Sequence, residues 1–214
     1  MEFHDKHWKR ELKGHADQIA KIELDEETNE TFEAERPIFY SAFIVRKLIE
    51  DTAVTDALKS RSVDVLAYPS TRGGQVVFLE AMLGPLQVED HFDFNAGKRT
   101  RISYNDLTSE IIHSDGFVWI IPHAPPPHAF LVFSYRNTLT RAIGVTVEAY
   151  LGMLRDVLRD DPRHWWTMMD AKTGKVTIHA GHRLPKRKVV TTAPPPWAAD
   201  LWRDLQEPTP EEKQ

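Results

Sequence analysis

Glu35-Arg-Pro-Ile-Phe-Tyr-Ser-Ala-Phe-Ile-Val-Arg-Lys-Leu-Ile-Glu50 is the stretch on which the reading of the fold turns. Wound at about 3.6 residues per turn, Ile38, Ser41, Ala42, Val45, Leu48 and Ile49 line one broad face. Phe39, Tyr40 and Phe43 fall on the remaining arc, among Arg36, Arg46, Lys47 and Glu50. A helix apolar over so much of its circumference is expected at the centre of a domain. Arg46 is then a cation held at least half inside it, paired with a carboxylate, a carbonyl or an aromatic face. Pro37 suits an early helical position, behind acidic side chains that the helix dipole favours.

Outward from this helix, the pattern alternates between the helical period and the period of two. Trp8, Leu12, Ile19 and Ile22 predict a first helix over residues 8–24. The connector that follows, 23–35, carries seven acidic residues and no basic one. Residues 52–60 extend the second helix by a turn or two, and 63–68 read as a strand closed by Pro69. The run 76–83 fits strand or helix equally, and 84–98 is irregular. Ser103 opens a helix with Asp106 at capping-box spacing; Tyr104, Leu107 and Ile111 form its apolar face and Gly116 ends it. Strands are expected at 117–121, 129–135 and 141–145. Thr146 caps a helix striped by Val147, Tyr150, Leu151, Leu154 and Leu158, which Asp161-Pro162 stops. A hairpin joins 165–170 to 175–180, and a last short helix follows Pro194–Pro196 with Trp197, Leu201 and Leu205.

Helices followed by antiparallel strands indicate an α+β fold, with a helical core and a small antiparallel sheet over about 117–180. The expected organisation is one domain over 1–206 and a flexible tail over 207–214. A chain of 214 residues, 41% hydrophobic and 28% charged, has the composition of an ordinary globular protein. With no cysteine, disulfides, thiolate metal sites and cysteine nucleophiles are excluded, and a reducing compartment fits. The first ten residues lack the apolar core of a signal peptide and no run approaches a membrane span, so a cytoplasmic location without membrane contact is expected. The net charge of −5 gives no global pull toward nucleic acid.

Three groups of side chains carry candidate chemistry. Asp106, Glu110 and His113 stand at i, i+4 and i+7 on the polar face of one helix. Such a set suits a divalent metal or an acid–base unit, whereas the plainer reading makes Asp106 a cap, Glu110 a solvated side chain and His113 a last-turn cation. Glu110-x-x-His113 is also half of a di-iron pattern, whose nearest second copy is Asp161-x-x-His164 across a proline. Lys98, Arg99 and Arg101 form one basic knot, and Arg183, Lys186, Arg187 and Lys188 another; both are candidate phosphate contacts or solvated loops. His123, His128, His179 and His182 sit at the ends of two turns. Arg72-Gly73-Gly74 lacks the spacing of a phosphate loop, and no Gly-x-Ser-x-Gly elbow occurs. No cofactor is expected.

The stretch from Arg36 to Glu50, followed by Asn105-Asp-Leu-Thr-Ser-Glu-Ile-Ile-His113, is similar to a pattern in bacterial proteins and resembles the helical HEPN superfamily. In that superfamily a helix with a semi-buried arginine packs beside one ending in histidine. The resemblance spans two helices, under a third of the chain. It implies a metal-independent ribonuclease, in which His113 would help activate a 2′-hydroxyl and Arg46 or Arg101 would stabilise the phosphorane. His113 departs from the Arg-x4-6-His motif of the family, having no arginine at the required distance, while Arg10 to His15 and Arg159 to His164 meet the spacing. The expected function is a non-catalytic interaction or regulatory module that binds a protein partner or itself, with nucleic acid disfavoured by charge. The ribonuclease stands as the alternative, and a metal-dependent enzyme built on Asp106, Glu110 and His113 as a third reading.

Overall fold

The computed structural model describes residues 2–23, 31–71, 88–120, 129–134, 140–170 and 172–185. Helix α1 (Glu2–Ile19) leads to α2 (Thr31–Glu50), a short α3 (Asp56–Lys59) and strand β1 (Ser62–Pro69). Two single 3-10 turns, Val88–Asp90 and Phe94–Ala96, precede β2 (Lys98–Ser103) and α4 (Tyr104–Ile112). Then come β3 (Ser114–Ile120), β4 (Ala129–Ser134), β5 (Arg141–Thr146), α5 (Val147–Arg159), and the pair β6 (His164–Met169) and β7 (Val176–Gly181). The α+β class is as expected.

The main sheet is larger than the sequence suggests. Its order is β2-β1-β5-β4-β3, antiparallel throughout, so β1 and β2 join it beside β5. The hairpin β6–β7 is a separate two-stranded sheet rather than a continuation. Lys98, Arg99 and Arg101 lie on the edge strand β2, not in a loop. The segments 76–83, 194–205 and 207–214, with His123, His128, Lys186, Arg187 and Lys188, lie outside the described residues.

The helices cover one face of this sheet. The predicted face of α2 is buried at Ile38, Ser41, Ala42, Val45 and Leu48. It packs in one core with Leu12 and Ile19 of α1, Leu107 and Ile111 of α4, and Tyr150, Leu154 and Val157 of α5. The arc with Tyr40 and Phe43 turns to α1, where His15 stacks on Tyr40 at 5.6 Å and Trp8 meets Phe43 edge-on at 6.3 Å. Helix α2 starts before Pro37, leaving that proline inside it; Glu33 in the first turn suits the dipole and bonds Arg36 at 3.0 Å. In the middle of the core the fully buried Tyr150 hydroxyl donates to the Ile38 carbonyl at 3.0 Å and meets Ser41 Oγ at 2.9 Å. A buried phenol without such partners would be costly.

The opposite sheet face holds a smaller cluster of Val88, Phe92, Leu131, Phe133 and Ala142. Strand β4 feeds both faces, which explains its unbroken apolar run. Gly116, expected to end α4, instead lies in β3, and His113 is the C-cap. A Cβ on Gly116 would stand 2.0 Å from the Phe133 ring, so glycine there is a packing requirement.

The end of α2 anchors the hairpin. Thr52 takes a left-handed φ of 58°, Ala53 N–H reaches back to the Leu48 carbonyl, and the Thr52 carbonyl receives Trp165 Nε1 at 3.0 Å. On the far side of the core Asp156 of α5 accepts the Tyr104 hydroxyl at 2.7 Å and Arg61 Nη1 at 2.6 Å. Partial burial opposes ionisation of Asp156, but these two donors outweigh it and hold its carboxyl below the usual range. Burial, then the bond to Asp156, pushes Tyr104 up to about 12.

The depressed Asp156 contributes stability that is present above the ordinary aspartate range and is lost as pH falls through its folded value. The raised Tyr104 acts in the opposite window, contributing below the ordinary phenol range and losing that contribution as pH rises toward about 12. Urea unfolding of wild type and Asp156→Asn should therefore differ most near about pH 6 and converge toward about pH 2. A difference that stays constant across that range would remove Asp156 from the acid response.

Candidate functional site: an arginine-lined cleft

Arg46 leaves α2 toward α4 because it sits between the buried face and the solvent arc of its helix. Its side chain is 31% exposed, its Nε donates to Glu50 at 2.8 Å, and its Nη1 donates to Ser109 Oγ at 3.0 Å. The same Nη1 lies 3.4 Å from His113 Nε2. A guanidinium has only donors, so a bond here makes Nε2 the acceptor, as in the neutral imidazole. The expected partly buried, carboxylate-paired Arg46 is what the structure contains.

These side chains form one wall of a cleft of about 670 Å³. Arg101, Ile102 and Ser103 enter from β2, Ser134 from the end of β4 and Arg141 from the start of β5. Arg141 alternates with the buried Ile143 and Val145, so its position places it on the helix-covered face of the sheet. It is only half exposed, and among the described residues its guanidinium has no ion pair. Arg101 bonds Asp64 at 3.1 Å, but both side chains are largely exposed and such a pair is worth little.

Asp106 and Glu110 also line this cleft, in different states. Ser103 is the N-cap of α4: its Oγ accepts the Asp106 N–H at 3.0 Å and donates to the Asp106 carboxylate at 2.7 Å. The cap is thus Ser103, and Asp106, expected to cap the helix itself, accepts the Ser103 hydroxyl instead. Glu110 is buried rather than solvated. Among the described residues no three His, Asp or Glu side chains are grouped so as to hold a metal ion, and Asp106, Glu110 and His113 do not converge as a ligand set.

The other candidates lie apart. Lys98 and Arg99 are exposed on β2, and Arg99 borders a second groove of about 550 Å³ over Leu66, Tyr68 and Gly144. Arg183 follows β7, where His179 Nδ1 meets Asp56 at 2.7 Å and His182 Nε2 meets Asp160 at 3.4 Å. Those two histidines tie the hairpin to the helices and do not meet each other's partners. Sequence reasoning missed Arg141, Ser109 and Ser134. The signal for Arg141 was there, since a cation in phase with Ile143 and Val145 needs a polar surrounding. No signal marked Ser109 or Ser134.

No protein-family model, curated protein or solved structure matches this chain. Among the described residues no helix is long and apolar enough to cross a membrane.

Because Arg46 joins α2 to α4 through its contacts with Ser109 and His113, Arg46→Ala should lower unfolding stability by about 1–2 kcal/mol. His113→Ala, at the exposed end of the network, should cost about 0.5 kcal/mol or less. Urea unfolding measures both, and an Arg46→Ala midpoint equal to wild type would make the network dispensable.

Proposed function

We propose that the protein is a non-catalytic binding module of a reducing compartment, whose arginine-lined cleft takes a phosphate group. The observation that carries this is Arg141, half-buried in the cleft and without an ion pair among the described residues. A cation so placed favours an anion beside it. The Arg46 guanidinium, the Ser109 hydroxyl and the exposed, weakly paired Arg101 supply further donors around the same space. The acidic residues leave room for this: Asp106 is engaged by Ser103, and Glu110 is buried on the α4 side. The absence of cysteine fits the compartment.

Titration with inorganic phosphate, followed by amide NMR shifts, should move Ser109, His113 and Ser134 saturably. Arg141→Ala should weaken that binding about tenfold, since a charge-assisted bond of about 1.4 kcal/mol is lost. Shifts that are absent, or unchanged by Arg141→Ala, would sink the reading.

One observation favours a second reading. Arg46 Nη1 and His113 Nε2 are 3.4 Å apart, which supports the HEPN-like ribonuclease even though the sequence spacing departs from that motif. An imidazole beside a guanidinium can exchange a proton with a 2′-hydroxyl while the cation stabilises the phosphorane. On this reading a short oligoribonucleotide is cleaved in chelator to 2′,3′-cyclic phosphate ends, and His113→Ala abolishes cleavage while remaining folded. On the module reading the oligonucleotide is bound and left intact.

A further inference from the structure

Half of the large apolar side chains that stand exposed among the described residues lie in one segment, the hairpin and the turn after it, including Trp165, Met168, Met169 and Ile178. A two-stranded sheet is marginal by itself in water, and this one has unequal edges. Strand β7 lies against α3, and Asp56 accepts its outward Ala180 N–H at 3.4 Å. Strand β6 has no partner on its outer edge among the described residues.

The pairing pattern says which groups that edge presents. Asp170 N–H bonds the Lys175 carbonyl across the hairpin, in register with Met168↔Thr177 and Trp166↔His179. Antiparallel ladders alternate, so the N–H and C=O groups of Trp165, Thr167 and Met169 point outward. Those three residues form a template for a further strand.

The sequence of that edge, His164-Trp-Trp-Thr-Met-Met-Asp170, is complementary to itself when reversed. Paired antiparallel about Thr167, each tryptophan stands opposite a methionine, Thr167 opposite its own copy, and His164 opposite Asp170. Tryptophan–methionine contacts and an imidazole–carboxylate pair are both favourable across strands. The outward groups are in phase with this register, because Thr167 is itself an outward residue and so forms a hydrogen-bonded pair on the axis. Trp165, Met168 and Met169 of β6 stand half-exposed beside that edge, apolar surface that a partner strand would help to cover.

We infer that two copies of this chain join edge to edge through β6, about a twofold axis at Thr167, into a four-stranded antiparallel sheet. The surface is independent of the arginine-lined cleft, and its partner is a second copy because an isologous interface requires a self-complementary strand.

Sedimentation velocity of the full chain should show a monomer–dimer equilibrium between about 1 and about 100 µM. Thr167→Glu places like charges on the axis at an exposed position and should give a monomer with an unchanged circular dichroism spectrum; mixing it with Thr167→Lys should restore the dimer. The chain has no cysteine, so Thr167→Cys reports the register directly. Its Cα atoms would face each other at about 5.5 Å, within disulfide range, and mild oxidation should cross-link it while Thr177→Cys on β7 stays uncross-linked. A wild type that is monomeric throughout, a Thr167→Glu dimer, a mixture that stays monomeric, or cross-linking no faster at 167 than at 177 would each overturn the assignment.

Discussion

The carboxylate of Asp160, buried where α5 ends, accepts the Thr55 N–H at 2.6 Å and the Thr55 hydroxyl at 2.9 Å, while His182 approaches it at 3.4 Å. Its backbone carbonyl receives Lys9 from α1, and Asp160 is itself the C-cap of α5. Thr55 in turn is the N-cap of α3. One residue thus joins the first helix, the turn after α2, the end of α5 and the end of the hairpin. A buried carboxylate is stable only with donors of this kind around it, which makes the arrangement a strong constraint on how those four segments meet. The position of β6–β7 follows from it, with Trp165 on the Thr52 carbonyl and His179 on Asp56 completing the attachment.

With α5 held in this way, Tyr150 is carried onto α2, and its hydroxyl finds Ser41 and the Ile38 carbonyl. That contact sets the rotation of α2, because only one face of the helix has Ser41 flanked by Ile38, Ala42 and Val45. Rotation in turn decides where Arg46 goes. It leaves the buried face at an angle that meets the last turn of α4, so Ser109 and His113 come within reach. The cleft is a consequence of packing: α4 crosses from the edge strand β2 toward β3, and the arginines of β2 and β5 border the space it leaves.

The sheet is used on both faces, and this shapes which surfaces remain for binding. The helices seal one face, and Val88, Phe92 and Phe133 close part of the other. Tyr68 lies over Gly97 and Gly144, where a Cβ would approach its ring to 2.6 and 2.9 Å, so glycines flatten that part of the outer face. Charge is distributed unevenly over this frame. The protein is acidic as a whole, and its cleft brings three arginines together with Asp106 and Glu110.

Much of the local structure was legible in the sequence because it depends on neighbours along the chain. The buried face of α2, the caps at Ser103 and Thr146, the alternation in β1 and the α+β class all follow from periodicity and capping chemistry. The partly buried state of Arg46 followed as well, since it is fixed by position on a mostly apolar helix. What only the tertiary structure decided is every contact between distant segments. The pairing of β1 with β5, the burial of Glu110, the role of Gly116 under Phe133, the hub at Asp160 and the meeting of Arg46 with His113 leave no mark on local periodicity. They arise when elements far apart in the chain pack face to face, and the free energy that selects them belongs to the assembled core rather than to any one stretch of residues.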